Sequence, residues 1–375
     1  MVDVIQYTDG AGFNPSLISL PSEGYSNGPL VVVAREHDPS LWEDDPTVRP
    51  RWLIAAMLTL PEKDRSRLRW DPVFEFKVHA SRPERLPTLV NDHNVELFPK
   101  CGEEKDVDKW FRNVQGPEDP RLFWTHLGEP LLLYNSFAAE NIVLCRQMWM
   151  VDLRSVFPPA ADLLSTVSQP APIRFSENVP LTYSQQSSFQ KNWAPFTDSD
   201  GEIYFHKDLI PQTIYKLKSE PAAGYATASS PATELFNLDL VVSSSLENNC
   251  IVLATDQPRN PDGRPRIHQS TPFLEVVLCN FEEATSGKCD PKDPRNRLYV
   301  GLIHLRHPYR HYERRIVTLN STYPWNYVSV SKPLLYCISY SGQGSNDSSG
   351  DWTRSVDIYC LNEFPQIETT HYLGR

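Results

Sequence analysis

The sequence has no run of about 18 consecutive apolar residues, so it encodes no membrane-spanning helix of the usual length. Its first ten residues, MVDVIQYTDG, lack the basic and apolar regions of a signal peptide. Basic residues are in short supply. Lys and Arg number 36 against 47 Asp and Glu, for a net charge of −11. A sequence-independent nucleic-acid binder is normally basic, and anionic lipid would repel such a surface, so both classes are excluded. Glycine is scarce at 16 residues, and no Gly-rich loop sits between a strand and a helix, which removes a Rossmann-type nucleotide domain. No C-x-x-C pair occurs among the seven cysteines, so a structural zinc site is not expected. The cysteines, at 101, 145, 250, 279, 289, 337 and 360, read as mostly reduced and buried. There is no G-x-S-x-G, and nucleophilic catalysis has no anchor.

What is abundant is proline, at 33 residues about twice the usual share, together with 9 Trp, 16 Tyr and 16 Phe. That mixture suits short strands joined by rigid loops, and aromatic-rich loops suit sugar faces. Strand patterns, most of five to eight residues, recur at 30–35, 52–60, 73–78, 130–136, 141–151, 203–206, 238–244, 250–255, 273–278, 298–305, 315–319, 334–339 and 355–361. Helix signals are weak and confined to 106–114 and 160–167. Segments 219–232 and 341–350 read as polar surface loops rather than linkers, because like strands lie on both sides of the first. An even spread of strands with no helical block predicts a single all-β domain over 1–375, a propeller or a large sandwich.

Four strings carry chemistry. In Gln115-Gly-Pro-Glu-Asp-Pro-Arg-Leu-Phe123, two acids lie between two prolines with an arginine behind. Pro120 is expected to force Asp119 into extended backbone, which would fix a carboxylate beside a guanidinium for proton transfer. The bland alternative is a turn with a local Asp–Arg pair. Lys191-Asn-Trp-Ala-Pro-Phe196 joins a cation and an amide to a ring, or simply ends a strand over a core Trp. Segment 304–314 packs His304, Arg306, His307, Arg310, His311 and Arg314 into an acidic chain. Pro308 opposes a helix there, and an extended chain splits the histidines between two faces, so anion recognition by arginine forks is preferred over a metal site. Asp198-Ser-Asp200 has the D-x-D form of many metal-dependent glycosyltransferases, but stands in a turn where Asp is favoured anyway. Two N-x-S/T triplets, at Asn320 and Asn346, are of a form that often arises by chance.

Taken in order, Gly-Pro-Glu-Asp-Pro-Arg (116–121), Lys-Asn-Trp (191–193), His-Gln-Ser-Thr-Pro (268–272) and Gly-Leu-Ile-His (301–304) resemble the fungal β-1,2-mannosyltransferases. Tyr-Arg-His-Tyr-Glu-Arg-Arg (309–315) and Ser-Val-Ser-Lys-Pro-Leu (329–334) continue the likeness, and the whole set looks more remotely like the β-mannoside phosphorylases. The resemblance spans about residues 14–363, thinly between motifs. It implies a five-bladed β-propeller with few short helices and an active site on the central axis. It implies an inverting β-1,2-mannosyltransferase taking mannose from GDP-mannose to a mannose or mannoside acceptor, with Asp119 as general base. A β-mannoside phosphorylase or hydrolase on the same fold, or a carbohydrate-binding propeller without catalysis, are the alternatives.

By the same resemblance, Asn14, Arg35, Arg121, Lys191, Asn192, His268, His304 and Tyr312 are expected to bind substrate, while Glu118, which points away from Asp119 in an extended chain, is assigned to structure or to a sugar hydroxyl. Arg306 and Arg310 are expected to grip the donor diphosphate. Glu363 stands where the relatives place an aspartate that holds the sugar. No cofactor or metal is expected, and no partner beyond GDP-mannose and a mannose-containing acceptor. The membrane anchor usual in the yeast enzymes is missing, so the expected location is cytoplasmic, or the Golgi lumen if an anchor was trimmed.

Overall fold

A computed structural model describes residues 4–7, 10–21, 29–37, 52–59, 79–80, 83–88, 116–137, 146–166, 171–183, 190–218, 236–243, 251, 267–306 and 312–334. The described chain is a succession of antiparallel sheets. The first holds β1 (Val4–Tyr7), β2 (Gly10–Ser19), β3 (Leu30–His37) and β4 (Leu53–Thr59), with the short β5 (His79–Ala80) and β6 (Glu84–Arg85) on β4. The second is β7 (Glu118–Trp124), β8 (Pro130–Phe137), β9 (Arg146–Asp152) and β10 (Val179–Thr182). The third is β11 (Ala194–Thr197), β12 (Ile203–Leu209), β13 (Gln212–Leu217) and β14 (Phe236–Ser243). In the fourth, β15 (Ile267–Gln269) and β16 (Leu274–Val277) both pair with β17 (Arg297–Arg306), followed by β18 (Tyr312–Asn320) and β19 (Tyr327–Val330). A short parallel pairing of β10 with β14 joins the second and third sheets edge to edge.

Period-2 alternation decides how the sheets stack. Along β3 and β4, Val31, Val33, Leu53 and Ala55 face the second sheet, and Val32, Ala34, Ile54 and Ala56 form a cluster on the opposite face. Along β8, Leu132 and Tyr134 pack back onto the first sheet, while Leu131 and Leu133 pack forward onto Trp193, Phe205 and Tyr215 of the third. On the third sheet Tyr204 and Ile214 turn towards Phe273, Tyr299, Ile303 and Val317 of the fourth. Each middle sheet is therefore apolar on both faces, as a strand covered on both sides must be. Full burial of one such side chain contributes about 1.5–3 kcal/mol, against about 0–1 for an exposed ion pair. The inter-sheet clusters, not the surface charges, hold the sheets face to face.

This is an all-β chain with few helices, in a propeller arrangement of four blades among the described residues. The five blades implied by the resemblance are not reached there. The expected strands at 73–78 and 355–361 and most of those at 250–255 and 334–339, the helix at 106–114 and the loops 219–232 and 341–350 lie outside the described residues. The helix expected at 160–167 is present as α2 (Pro158–Ser165), following the single turn α1 (Leu153–Val156). A third helix, α3 (Phe281–Thr285), opens with an Asn280–Glu283 capping box. The cysteines depart from expectation: Cys279 and Cys289 form a disulfide across a loop on the fourth blade. The other five lie outside the described residues.

Candidate active site

Two of the candidate residues sit on strand irregularities, Asn14 on β2 and Asp119 on β7. On β2, Phe13 pairs with Arg35 and Ser16 with Val33, so one extra residue is accommodated. On β7, Glu118 pairs with Asn135 and Arg121 with Leu133, with the same surplus. The surplus is a β-bulge, which bends the strand and re-aims a side chain. Asn14 has φ 49° and Asp119 has φ 50°, both left-handed, and Asn192, just ahead of β11, has φ 61°. This corrects the expectation that Pro120 holds Asp119 extended. The bulge overrides the proline rule, and Asp and Asn tolerate left-handed backbone better than other side-chain-bearing residues. On the fourth blade the corresponding break is Ser270-Thr-Pro272 between β15 and β16, where the Thr271 hydroxyl accepts from the Leu302 N–H at 2.9 Å.

These breaks bring Asp119 to a cluster drawn from all four blades. Asn14 Nδ2 donates to Asp119 Oδ1 at 2.7 Å, tying the first blade to the second. Oδ2 accepts no hydrogen bond among the described residues, which leaves it open for proton exchange. Burial would raise the Asp119 pKa, but Arg121, Arg35, Lys191 and the Asn14 bond together outweigh it and hold the carboxyl below its ordinary value.

Glu118, its neighbour, is occupied otherwise. Arg35 Nη1 donates to Oε1 at 2.6 Å, and Arg146 Nη2 stands 3.6 Å from Oε2. Arg146 is itself fixed by Asn135 Oδ1 at 2.8 Å and the Gly116 carbonyl at 2.9 Å. Glu118 and Arg146 are both buried. Together they make a clamp that holds the bulge in shape. Arg146 and Asn135 were not among the expected site residues. The one hint was an arginine opening the otherwise apolar run Arg146-Gln-Met-Trp-Met-Val151.

Arg121 is different again. It is buried, its Nη1 donates to the Pro120 carbonyl at 3.0 Å, and its Nε has no partner among the described residues. A buried guanidinium with an open donor is costly unless something else binds it. Desolvation lowers the Arg121 pKa and Asp119 works against that, so the two groups sustain each other's charge. Arg35, Arg121, Arg146 and Lys191 set four cations against the two carboxylates Asp119 and Glu118. The locality is cationic inside a chain of net charge −11.

The fourth blade contributes histidines. His268 and His304 are directly paired across β15 and β17, with rings 5.4 Å apart and edge to face. Burial first, then His304 and Lys191, push the His268 pKa down to about 3, so its imidazole is neutral at physiological pH. Arg314, next in the cross-strand row, donates from Nε to His304 Nε2 at 3.3 Å, which leaves the His304 proton on Nδ1.

Asn14, Arg35, Glu118, Asp119, Arg121, Lys191, His268 and His304 are thus linked by contact or by charge, and Asn192 follows Lys191 directly. Arg306 and Tyr312 lie on β17 and β18, where their backbones alone are described. Arg310 and Glu363, with His307 and His311, lie outside the described residues. The Asp198 carboxylate accepts from the Asp200 and Glu202 N–H groups, each at 3.0 Å, and from the Tyr204 hydroxyl at 2.9 Å. It serves the turn it stands in. No helix among the described residues is long and apolar enough to cross a membrane.

No protein-family model matches this chain, and no curated protein sequence does. Several solved structures are similar at low level, three of them as follows. One is a mutant of the GH43 protein BlXynB from Bacillus licheniformis, at 10% identity and TM-score 0.37 over 90% of this chain and 44% of that one. Another is the endo-1,5-alpha-L-arabinanase from Thermotoga petrophila RKU-1, at 13% and 0.30 over 84% of this chain and 53% of that one. The third is MPT-4, a mannose phosphorylase from Leishmania mexicana, in complex with phosphate ion, at 11% and 0.28 over 83% of this chain and 64% of that one. This chain therefore spans about half to two thirds of the length of these structures. At these scores the fold and the site stand on the geometry described above.

Proposed function

We propose that this protein is a carbohydrate-active enzyme that moves a mannosyl group between a sugar hydroxyl and a phosphate, with inversion, as a β-mannoside phosphorylase does. The observation that carries this is one proton-transferring carboxylate, Asp119, set among cations with an open buried donor on Arg121. Inverting hydrolysis needs two carboxyl groups about 6.5–9.5 Å apart, one as acid and one to activate water. Glu118 cannot serve as the second, because Arg35 and Arg146 occupy it. Phosphate needs no such help, since it is already an anion at neutral pH. One carboxylate then suffices.

In the degradative direction, protonated Asp119 gives its proton from Oδ2 to the departing sugar oxygen while phosphate attacks C1 from the opposite face. In the synthetic direction, ionised Asp119 takes the proton of the arriving hydroxyl as phosphate leaves. Arg121 and Lys191 hold the phosphate oxygens, and neutral His268 supplies a hydrogen bond without adding charge. The lowered pKa of Asp119 favours the base form, the form that takes the proton of an arriving hydroxyl. That same observation favours the second reading, transfer from GDP-mannose, in which the diphosphate leaves from the same cations. The identity of the sugar rests on the sequence resemblance.

The test is to incubate the protein with β-mannobiose and phosphate, and separately with GDP-mannose and mannose. α-Mannose 1-phosphate from the first supports the main reading. A β-mannoside formed only in the second supports the transferase. Free mannose from mannobiose without phosphate dependence contradicts both.

A further inference from the structure

We infer that Asn320 carries an N-linked glycan, and that this chain matures in an oxidising secretory compartment. Two independent observations meet on one face of the fourth blade. The first is the Cys279–Cys289 disulfide, which closes a loop of sequence separation 10 around α3. Disulfides of this kind form and persist where the surroundings are oxidising, and are rare in the cytosol. The second is the triplet Asn320-Ser-Thr322, an acceptor pattern for N-glycosylation that requires an accessible asparagine.

Accessibility is what the fold supplies. Asn320 is the last residue of β18 and is exposed, as are Thr322 and Tyr323 beyond it. The Asn320 side chain makes no hydrogen bond to any described residue; its backbone N–H donates to the Asn326 carbonyl at 2.9 Å. The turn is also held in place from the segment that follows the disulfide loop. Ser321 Oγ donates to the Pro294 carbonyl at 2.7 Å, and the Leu278 N–H, next to Cys279, donates to the Asn296 carbonyl at 2.7 Å. Sequon and disulfide loop are therefore anchored on the same 294–296 segment, and a single compartment serves both.

The chemistry balances with two co-reactants of that compartment. The Cys279 and Cys289 thiols give up two protons and two electrons to a disulfide oxidant. Asn320 Nδ2 bonds to C1 of an oligosaccharide carried on a lipid diphosphate; the C1–O bond to the diphosphate breaks, and Nδ2 loses one proton to a base of the transferring enzyme. A glycan here leaves the centre open. Asn320 lies six residues along β18 from Arg314, a span of about 20 Å at the strand rise of about 3.3 Å per residue. The inference concerns location and surface only and does not depend on the mannosyl-transfer reading.

The test expresses the full chain behind a cleavable export leader in a eukaryotic cell. The secreted protein is treated with peptide N-glycosidase in ¹⁸O-water and mapped by tandem mass spectrometry without reduction. The expected result is conversion of residue 320 to ¹⁸O-labelled Asp with Cys279 linked to Cys289. Asn320→Gln and Thr322→Ala should each remove one glycan from the intact mass, while Asn346→Gln leaves residue 320 modified. The inference is overturned by a secreted chain with unmodified Asn320, by glycan at Asn346 alone, or by a chain that stays unexported with both thiols reduced.

Discussion

Two buried polar clusters lie between blades, and they are built on opposite plans. At the junction of the third and fourth blades, His206 is wholly buried among Gln212, Gln269 and Tyr327. Gln269 Nε2 donates to His206 Nδ1 at 2.7 Å, so His206 Nε2 carries the proton and gives it to the Tyr327 hydroxyl at 2.9 Å. Tyr327 in turn donates to the Leu209 carbonyl at 3.1 Å, and Gln212 to the Trp325 carbonyl at 2.9 Å. This cluster is neutral and closed. Around Asp119, by contrast, the groups are charged, and both Arg121 Nε and Asp119 Oδ2 are open among the described residues. A polar cluster that serves the fold satisfies its members internally. One that serves a ligand leaves donors and acceptors aimed outwards, and accepts the cost in stability. The first plan also explains how His268 is held, since its neighbour Gln269 is anchored through His206.

The largest effect that would sharpen this contrast is at Asp119. Asp119→Asn keeps the shape and the Asn14 contact but removes the proton-transferring group, and should lower turnover by about 10²–10⁴-fold, with a lowered melting temperature because Arg121, Arg35 and Lys191 lose the carboxylate that offsets them. Steady-state rates alongside a thermal melt check it. Turnover near the wild-type level would return Asp119 to the class of turn-forming acids.

A smaller effect is expected at His206. His206→Leu leaves the Gln269 amide and the Tyr327 hydroxyl without their partner, and should cost about 1–3 kcal/mol of stability. Burial pushes the His206 pKa down to about 3. Below about pH 6.5 the unfolded chain binds a proton there that the folded chain refuses. Stability should therefore fall with acid from pH 6.5 towards 3, by up to about 1.4 kcal/mol per pH unit for this residue. Denaturation midpoints at pH 7 and pH 5 should differ less in His206→Leu than in the wild type. An equal pH dependence would show that His206 is not neutral in the fold.

The sequence carried one side of this contrast only in part and the other not at all. The strands were legible wherever an apolar run had turn residues on either side, as at Pro130–Phe137 and Arg297–Arg306. Those with prolines or polar residues inside them were not read as strands, among them Gly10–Ser19, Glu118–Trp124 and Gln212–Leu217. In the first two the bulge that hides the pattern is also what places Asn14 and Asp119. The Asp119–Arg121 pairing followed from adjacency and resemblance. The separate tasks of Glu118 and Asp119 did not, because the difference lies in Arg35 and Arg146, which approach from other strands. His206 gave no local sign at all: its three partners are spread from Gln212 to Tyr327 along the chain.

The central claim is that the Asp119 cluster is built to receive a phosphate. Isothermal titration of the unliganded protein with inorganic phosphate tests it most directly, with Arg121→Ala in parallel. The account predicts saturable binding to the wild type that weakens by about ten- to a hundredfold in Arg121→Ala, the value of one charge-assisted bond of about 1.5–3 kcal/mol. Failure of the wild type to bind phosphate, or equal binding by the variant, would contradict it.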